Sequence, residues 1–326
     1  MNLKGKILDS EARNNTGQVF PAEAEGLAKS YGNVNAIRGI DIRVEREEIF
    51  GLIGPDGAGK TTLLRILATL LIPDSGRAAV EGLDILRDMR RIRKIIGYMP
   101  GSFSLYRDLT VRENLNFFAA VFNTTVDENY QLIRPIYSHI EKFSGRKAGN
   151  LSGGMKQKLA LSCALIHRPR LLLLDEPNTG VDAVSRSQLW EMLFELREGG
   201  MTIAVSTPYM EEARMCDRVA LMQDGEIMKV DSPASIVKEF PHDLYRVRSS
   251  RMRKLSEDLQ DYGSAVSAHR FGDSVHFSME EGKSAGKELR GYLEGKGHSG
   301  IEIERIEPSI EDSFIELMAG RPDPDE

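Results

Sequence analysis

Cysteine is nearly missing from these 326 residues: only Cys163 and Cys216 occur. Both fall in apolar helical patterns, which fits buried thiols in a reducing compartment and leaves no disulfide framework. Long apolar runs are missing too. Segments such as LALSCALI and the four leucines at 171–174 fall far short of the roughly 18 residues that cross a bilayer. A membrane role would therefore need another chain to supply the spanning part. The N-terminus has no basic segment followed by an apolar one, so no signal peptide is read there. There is no basic surplus: 43 Lys and Arg stand against 49 Asp and Glu, a formal charge of −6. Bulk electrostatics thus give no reason to expect nucleic acid as a partner. The six histidines are scattered without ligand spacing, which argues against a metal held by the protein alone.

What is present is ordinary in composition, 41% hydrophobic and 28% charged, and long enough for a large core and two domains. Residues 1–18 are polar and aperiodic and read as a mobile tail. AEAEGLAKSY and RGIDIRVE read as strands, and EEIFGLIG as a buried one. KTTLLRILATLL reads as a helix with Leu63, Ile66, Leu67, Leu70 and Leu71 along one face. Pro73-Asp74-Ser75-Gly76 is a turn. From Arg87 to Arg168 the pattern is mostly helical, interrupted by one strand, KIIGYMP. RLLLLDEP and MTIAVST are continuous apolar runs, as in parallel strands covered on both faces. Trp190 with Leu189, Leu193 and Phe194 reads as the buried side of a helix. RVALMQDGEIMKVD is a hairpin about Asp224-Gly225. Strands alternating with helices predict an α/β core. Beyond Pro241 the order becomes β-α-β-β-α-β, a ferredoxin-like α+β pattern. A closing helix follows, capped by Ser309, with Glu311 and Asp312 near its start. The expected domains are 19–240 and 241–326.

Three segments concentrate polar chemistry. GPDGAGKT comprises Gly54, Pro55, Asp56, Gly57, Ala58, Gly59, Lys60 and Thr61, with Thr62 following, and satisfies G-x-x-x-x-G-K-[ST]. Its glycines let successive N–H groups approach phosphate oxygens, Lys60 adds a point charge, and Thr61 can ligate Mg²⁺. A buried strand precedes and a helix start follows, whose positive end favours phosphate. LLLLDEP sets Asp175 and Glu176 at the end of a buried strand. The first suits a Mg²⁺ shell and the second a general base. LSGGMKQKL starts a helix with Ser152 as N-cap, followed by Gly153 and Gly154 with exposed N–H groups. Taken alone, this third segment is no more than a helix cap. RDMRRIRK, with five basic residues, reads either as a solvated helix face or as a surface for anionic headgroups. His167 ends a helix, where a capping role is the default.

Together, in this order, the three segments resemble the ATP-binding subunits of ABC transporters, over roughly residues 22–235. NTGVD, ending at Asp182, resembles that family's D-loop, and Tyr31 stands where its members stack an aromatic ring on adenine. The segments IGYMPGSFSLYRDLTVRENL and EPSIEDSFIEL resemble multidrug-type members of the export branch. The resemblance implies a P-loop NTPase fold of ABC type, with a helical subdomain over about 90–165 that docks a membrane partner. It also implies ATP and Mg²⁺ as ligands. ATP would sit between the phosphate loop of one subunit and Ser152, Gly153 and Gly154 of another, in a homodimer or a heterodimer with a second ABC ATPase. The pore would come from a separate ABC-2-type permease, placing the chain on the inner face of the cell membrane. The 241–326 domain would be an accessory appended to the ATPase.

Two positions depart from the family pattern. Gly101 stands where members usually carry a glutamine that helps ligate Mg²⁺, and Pro208 where they usually carry a histidine that contacts the γ-phosphate. Losing one such preorganised donor costs on the order of 3 kcal/mol, or ~10²–10³ in rate. Slow intrinsic turnover is therefore expected, unless Ser206 or Thr207 substitutes or a mixed dimer completes one site. Two other readings stay open: a weakly hydrolysing regulatory subunit, and an ABC-type ATPase acting away from membranes. The second would usually bring fused ATPase units, coiled coils or basic arms, none of which is seen.

Overall fold

The computed structural model describes residues 18–279 and 286–319. The tail expected over 1–18 therefore lies, apart from Gln18, outside the described residues. In chain order the strands are β1 Ala22–Tyr31, β2 Val34–Val44, β3 Ile49–Ile53, β4 Ser75–Val80, β5 Leu83–Asp84, β6 Ile96–Met99, β7 Leu171–Asp175, β8 Thr202–Thr207, β9 Arg218–Gln223, β10 Glu226–Asp231, β11 Asp243–Arg248, β12 Ala265–Phe271, β13 Ser274–Met279 and β14 Glu302–Arg305. The helices are α1 Lys60–Leu67, α2 Met89–Ile92, α3 Val111–Val121, α4 Tyr130–Tyr137, α5 Gly153–Leu165, α6 Ala183–Glu198, α7 Pro233–Lys238, α8 Met252–Gln260, α9 Lys287–Gly295 and α10 Ile310–Ala319. The chain forms two compact units, Met1–Glu48 with Thr61–Ala204, and Ile49–Lys60 with Val205–Glu326. The boundary expected near residue 240 falls inside the second.

In the first unit, β2-β1-β4-β5 form an antiparallel sheet, and β6 pairs in parallel with β7, setting Tyr98 opposite Leu173. Every residue of β7 is buried, as its unbroken apolar run predicts. Helix α3 is fixed by a capping box between Thr110 and Glu113. Leu189, Trp190 and Leu193 bury one side of α6. The first helix is shorter than expected. It stops at Leu67, because Thr69 adopts a left-handed backbone (φ +58°) and the Leu70 N–H turns back to the Arg65 carbonyl at 2.8 Å. This closing turn satisfies carbonyls that continuing the helix would otherwise have bonded. The Arg93 guanidinium covers it, donating to the Thr69 hydroxyl and carbonyl at 2.9 and 2.7 Å. Leu70, expected on the apolar face, is 56% exposed.

In the second unit, β3 pairs in parallel with β9, and β9 turns into β10 through Asp224 and Gly225, both left-handed (φ +50° and +81°). That is the conformation a two-residue hairpin turn requires. Strands β12-β13-β11-β14 form an antiparallel sheet in that order. This arrangement is ferredoxin-like, with α8 and α9 as the crossovers. Val247, Leu255, Leu259, Phe277, Leu289 and Leu293 form its own core. A closed polar set stitches its loops together. The Ser249 hydroxyl donates to His298 Nδ1 at 2.8 Å, and His298 Nε2–H donates to Asp258 at 2.9 Å. Helix α10 is capped as expected, with the Asp312 N–H donating to Ser309 Oγ and the Ser309 N–H to the Asp312 carboxylate. His276 meets that carboxylate at 2.7 Å. Helix α10 packs on α7 and on the 3₁₀ segment Met210–Met215. Among the described residues, no helix is long and apolar enough to cross a membrane.

Candidate nucleotide site

The phosphate loop hangs from the end of β3. Gly54 is demanded by packing: a Cβ there would lie 2.1 Å from the Met222 carbonyl oxygen of β9. Gly57 and Gly59 take positive φ (+84° and +101°), which turns the loop N–H groups in a way that residues with a Cβ resist. Pro55 is half-buried and Asp56 exposed, while the Ala58 carbonyl accepts the Gly225 N–H of the β9–β10 turn at 3.2 Å. The Lys60 ammonium is buried and folded onto its own loop, donating to the Gly54 and Pro55 carbonyls at 2.8 and 2.9 Å. Gly54 N–H donates to the Thr207 carbonyl at the end of β8, at 3.4 Å. Pro208 follows, half-buried and without a donor. The Thr207 hydroxyl accepts the Tyr209 N–H at 3.1 Å and so serves the turn itself.

The acidic residues sit in the first unit. Asp175 is buried, and its carboxylate accepts the Thr61 hydroxyl at 2.8 Å and the Tyr98 hydroxyl at 3.4 Å. Thr62 is half-buried beside Thr61. Burial, and then the Asp175 charge, push the Tyr98 phenol above its usual range, so it remains a donor. Glu176 is held in the left-handed region (φ +48°), at a cost of about 1–3 kcal/mol for a residue with a side chain. Its carboxylate accepts the Thr179 hydroxyl at 3.2 Å. Gly101 abuts this pair: a Cβ there would stand 3.1 Å from the Asp175 carbonyl oxygen and 3.7 Å from Glu176 Cβ. A cavity of about 140 Å³ opens beside it, lined by Gly101, Phe103, Gly153, Lys156 and Glu176 among others. A hydroxyl and a buried carboxylate are hard oxygen donors, a set that fits Mg²⁺ with its remaining ligands drawn from phosphate and water.

The third segment is built as a helix end. The Ser152 hydroxyl caps α5 by accepting the Met155 N–H at 3.4 Å, with Ser152 and Gly153 exposed. Gly154 is required, since its Cβ would fall 2.4 Å from Ser185 Oγ at the start of α6. Asp182 caps α6, accepting the Val184 and Ser185 N–H groups at 3.1 and 3.0 Å. Those bonds, the Ser185 N–H first, hold its carboxyl below the usual range. Lys158 and Gln188 join the two helices further along, at 2.7 Å. Ser152, Gly153, Gly154 and Asp182 thus share one edge of the first unit. Tyr31, at the end of β1, is 48% exposed, with the Lys29 ammonium 5.9 Å from its ring.

One reading changes and one is kept. His167 is not a cationic cap: Nε2–H donates to the Ile96 carbonyl at 2.8 Å, the ring stacks on Phe122, and burial holds its pKa down. In RDMRRIRK all five basic side chains are exposed, Arg91 pairs with Asp88 and Arg93 serves Thr69, the pattern of a solvated face. Tyr98 and the Lys158–Gln188 pair were not singled out in the sequence. The one available signal for Tyr98 was a polar aromatic inside the otherwise apolar KIIGYMP.

The ABC transporter family model matches residues 37–179. The chain is 38% identical over 301 residues to the protein of Escherichia coli (strain K12) named "Probable multidrug ABC transporter ATP-binding protein YbhF", covering 90% of this chain and 51% of that one. It therefore spans about half the length of that relative. It is 33% identical over 296 residues to Nod factor export ATP-binding protein I of Rhizobium sp. (strain N33), covering 90% of this chain and 95% of the other. A solved dimeric ATP-binding cassette, in a post-hydrolysis state with ADP and Pi, aligns with a TM-score of 0.59 at 25% identity, covering 65% of this chain and 98% of that one.

Proposed function

The chain belongs to the ATP-binding proteins of ABC transporters, and on that premise we propose that it binds Mg-ATP and hydrolyses it to energise export through a separate ABC-2-type permease. The observation that carries this reading is the Thr61–Asp175 hydrogen bond at 2.8 Å, which unites the last residue of the phosphate loop with the first acid of LLLLDEP. Lys60 exchanges its two carbonyl partners for the β- and γ-phosphates, and the loop N–H groups hold the remaining phosphate oxygens. Thr61 and Asp175 hold Mg²⁺, which supplies charge neutralisation at the phosphates. Glu176 orients and deprotonates the attacking water, and Tyr31 stacks on the adenine. Ser152, Gly153 and Gly154 present the positive end of α5 to a nucleotide held by a second ATPase subunit, with Asp182 beside them. Residues 90–165 form the subdomain that docks the permease, which places the chain at the inner face of the membrane. Residues 19–240 act as the ATPase domain and 241–326 as its accessory.

The test is paired binding and turnover on the purified chain and on membranes holding its partner. Glu176→Gln is expected to retain Mg-ATP binding while losing turnover by about 10²–10⁴-fold. Absence of Mg-dependent ATP binding in the parent chain would overturn the reading. A second reading, nucleotide-driven dimer closure with little hydrolysis, is favoured by the missing side chains at Gly101 and Pro208. Single-turnover measurements with and without the membrane partner separate the two, because only a coupled ATPase gains rate from its partner.

A further inference from the structure

We propose that Tyr98 is a positioning residue for the metal site, holding Asp175 in this chain where position 101 has no side chain to contribute. The inference rests on the Mg-ATP reading above and concerns a residue that reading leaves unused.

Asp175 has two oxygens to satisfy. Oδ1 takes the Thr61 hydroxyl at 2.8 Å and Oδ2 lies 3.4 Å from the Tyr98 hydroxyl. The direction of the second contact follows from donor inventory. A phenol has one proton to give, and an ionised carboxylate can only accept. The Tyr98 hydroxyl therefore donates to Asp175 Oδ2.

The backbone holds this contact in place. Tyr98 lies in β6, paired in parallel with β7, and the pairing sets it opposite Leu173, two residues before Asp175. Tyr98 is thus fixed by the same ladder that fixes the acid. Gly101, two residues beyond the end of β6, meets the Asp175 backbone but offers no donor to its carboxylate. The hydroxyls of Thr61 and Tyr98 both reach this carboxylate, one to each oxygen. When Thr61 turns to the metal, Tyr98 stays. It then sets which Asp175 oxygen faces the metal, as partners behind a ligating carboxylate do elsewhere.

The experiment titrates Mn²⁺ into the chain saturated with a non-hydrolysable ATP analogue, read by electron paramagnetic resonance, for the parent, Tyr98→Phe, and Tyr98→Phe combined with Gly101→Gln. Nucleotide affinity in EDTA and the thermal midpoint without nucleotide are measured alongside. Tyr98→Phe, which removes one oxygen, is expected to weaken Mn²⁺ about tenfold, with metal-free nucleotide affinity and the midpoint unchanged. Gly101→Gln is expected to restore much of the loss by returning an amide to the site. Equal Mn²⁺ affinity and line shape in parent and Tyr98→Phe would overturn the inference while leaving the Mg-ATP reading intact. A parent that binds no Mn²⁺-nucleotide would overturn both. A loss of Mn²⁺ matched by an equal loss of metal-free nucleotide affinity or of thermal midpoint would mark Tyr98 as structural only and also overturn it.

Discussion

Two buried polar networks in this chain have opposite characters. The set Ser249–His298–Asp258 in the second unit is closed. Ser249 Oγ donates to His298 and accepts the Arg251 N–H at 3.2 Å, and the carboxylate takes the other imidazole nitrogen. It has the composition of a hydrolase triad, yet His298 is almost fully buried and both ring nitrogens are already engaged. The groups around the phosphate loop are arranged for exchange instead. Lys60 rests on two backbone carbonyls and Thr61 on Asp175, partners that a phosphate and a cation can replace. A polar network holds the fold when it saturates itself. It serves a ligand when its present partners are weaker than the ones that will arrive.

Substitutions on each side should break this comparison or sharpen it. The largest effect is expected at the exchangeable network. Lys60→Ala should weaken ATP binding by about 10²-fold, from loss of charge-assisted bonds to phosphate, while hydrogen exchange in β11–β14 stays unchanged. Calorimetry and exchange mass spectrometry read the two halves, and faster exchange in those strands would erase the distinction. Next, His298→Ala should leave Ser249 and Asp258 without their partner, destabilising the β11–β14 sheet by about 2–4 kcal/mol. ATP affinity should hold, and a parallel fall in affinity would show that the closed network also serves the ligand.

The smallest effect is in acid. His298 holds the Asp258 carboxyl below its usual range. For Asp312 burial pushes upward, but hydrogen bonds from His276 and Ser309 outweigh it and the carboxyl again lies low. A folded pKa below the unfolded one, about 3.9, gives stability that is fully present above that value. It is lost as the pH falls through it toward the folded pKa. Replacing both with asparagine should therefore flatten the acid slope of exchange in β11–β14 below about pH 4, with little change at neutral pH in that slope. An unchanged slope would remove these two carboxylates from the account.

The parts legible in the sequence are those written in consecutive residues. The phosphate loop, the Ser152 and Ser309 caps and the Asp224-Gly225 turn each depend on local backbone demands, and each stands where its residues put it. The ferredoxin-like order was readable because β-α-β-β-α-β connections leave few ways to close one antiparallel sheet. What escaped depends on distant pairing. Apolar spacing carried α1 on to Leu71, whereas Thr69 turns the chain and Arg93, 24 residues away, completes that turn. Tyr98 reaches Asp175 only because β6 and β7 lie side by side across 77 residues of chain. His167 read as a helix end until β6 supplied a carbonyl for its ring.

Gly154 has a mechanical consequence. Its missing side chain lets Ser185 sit so close that the starts of α5 and α6 interlock, and Lys158 with Gln188 bolts them again further along. Ser152 at one helix start and Asp182 at the other are thereby held as one piece, with Gly154 as the joint. Widening that joint by a single methyl group would force the two helix starts apart.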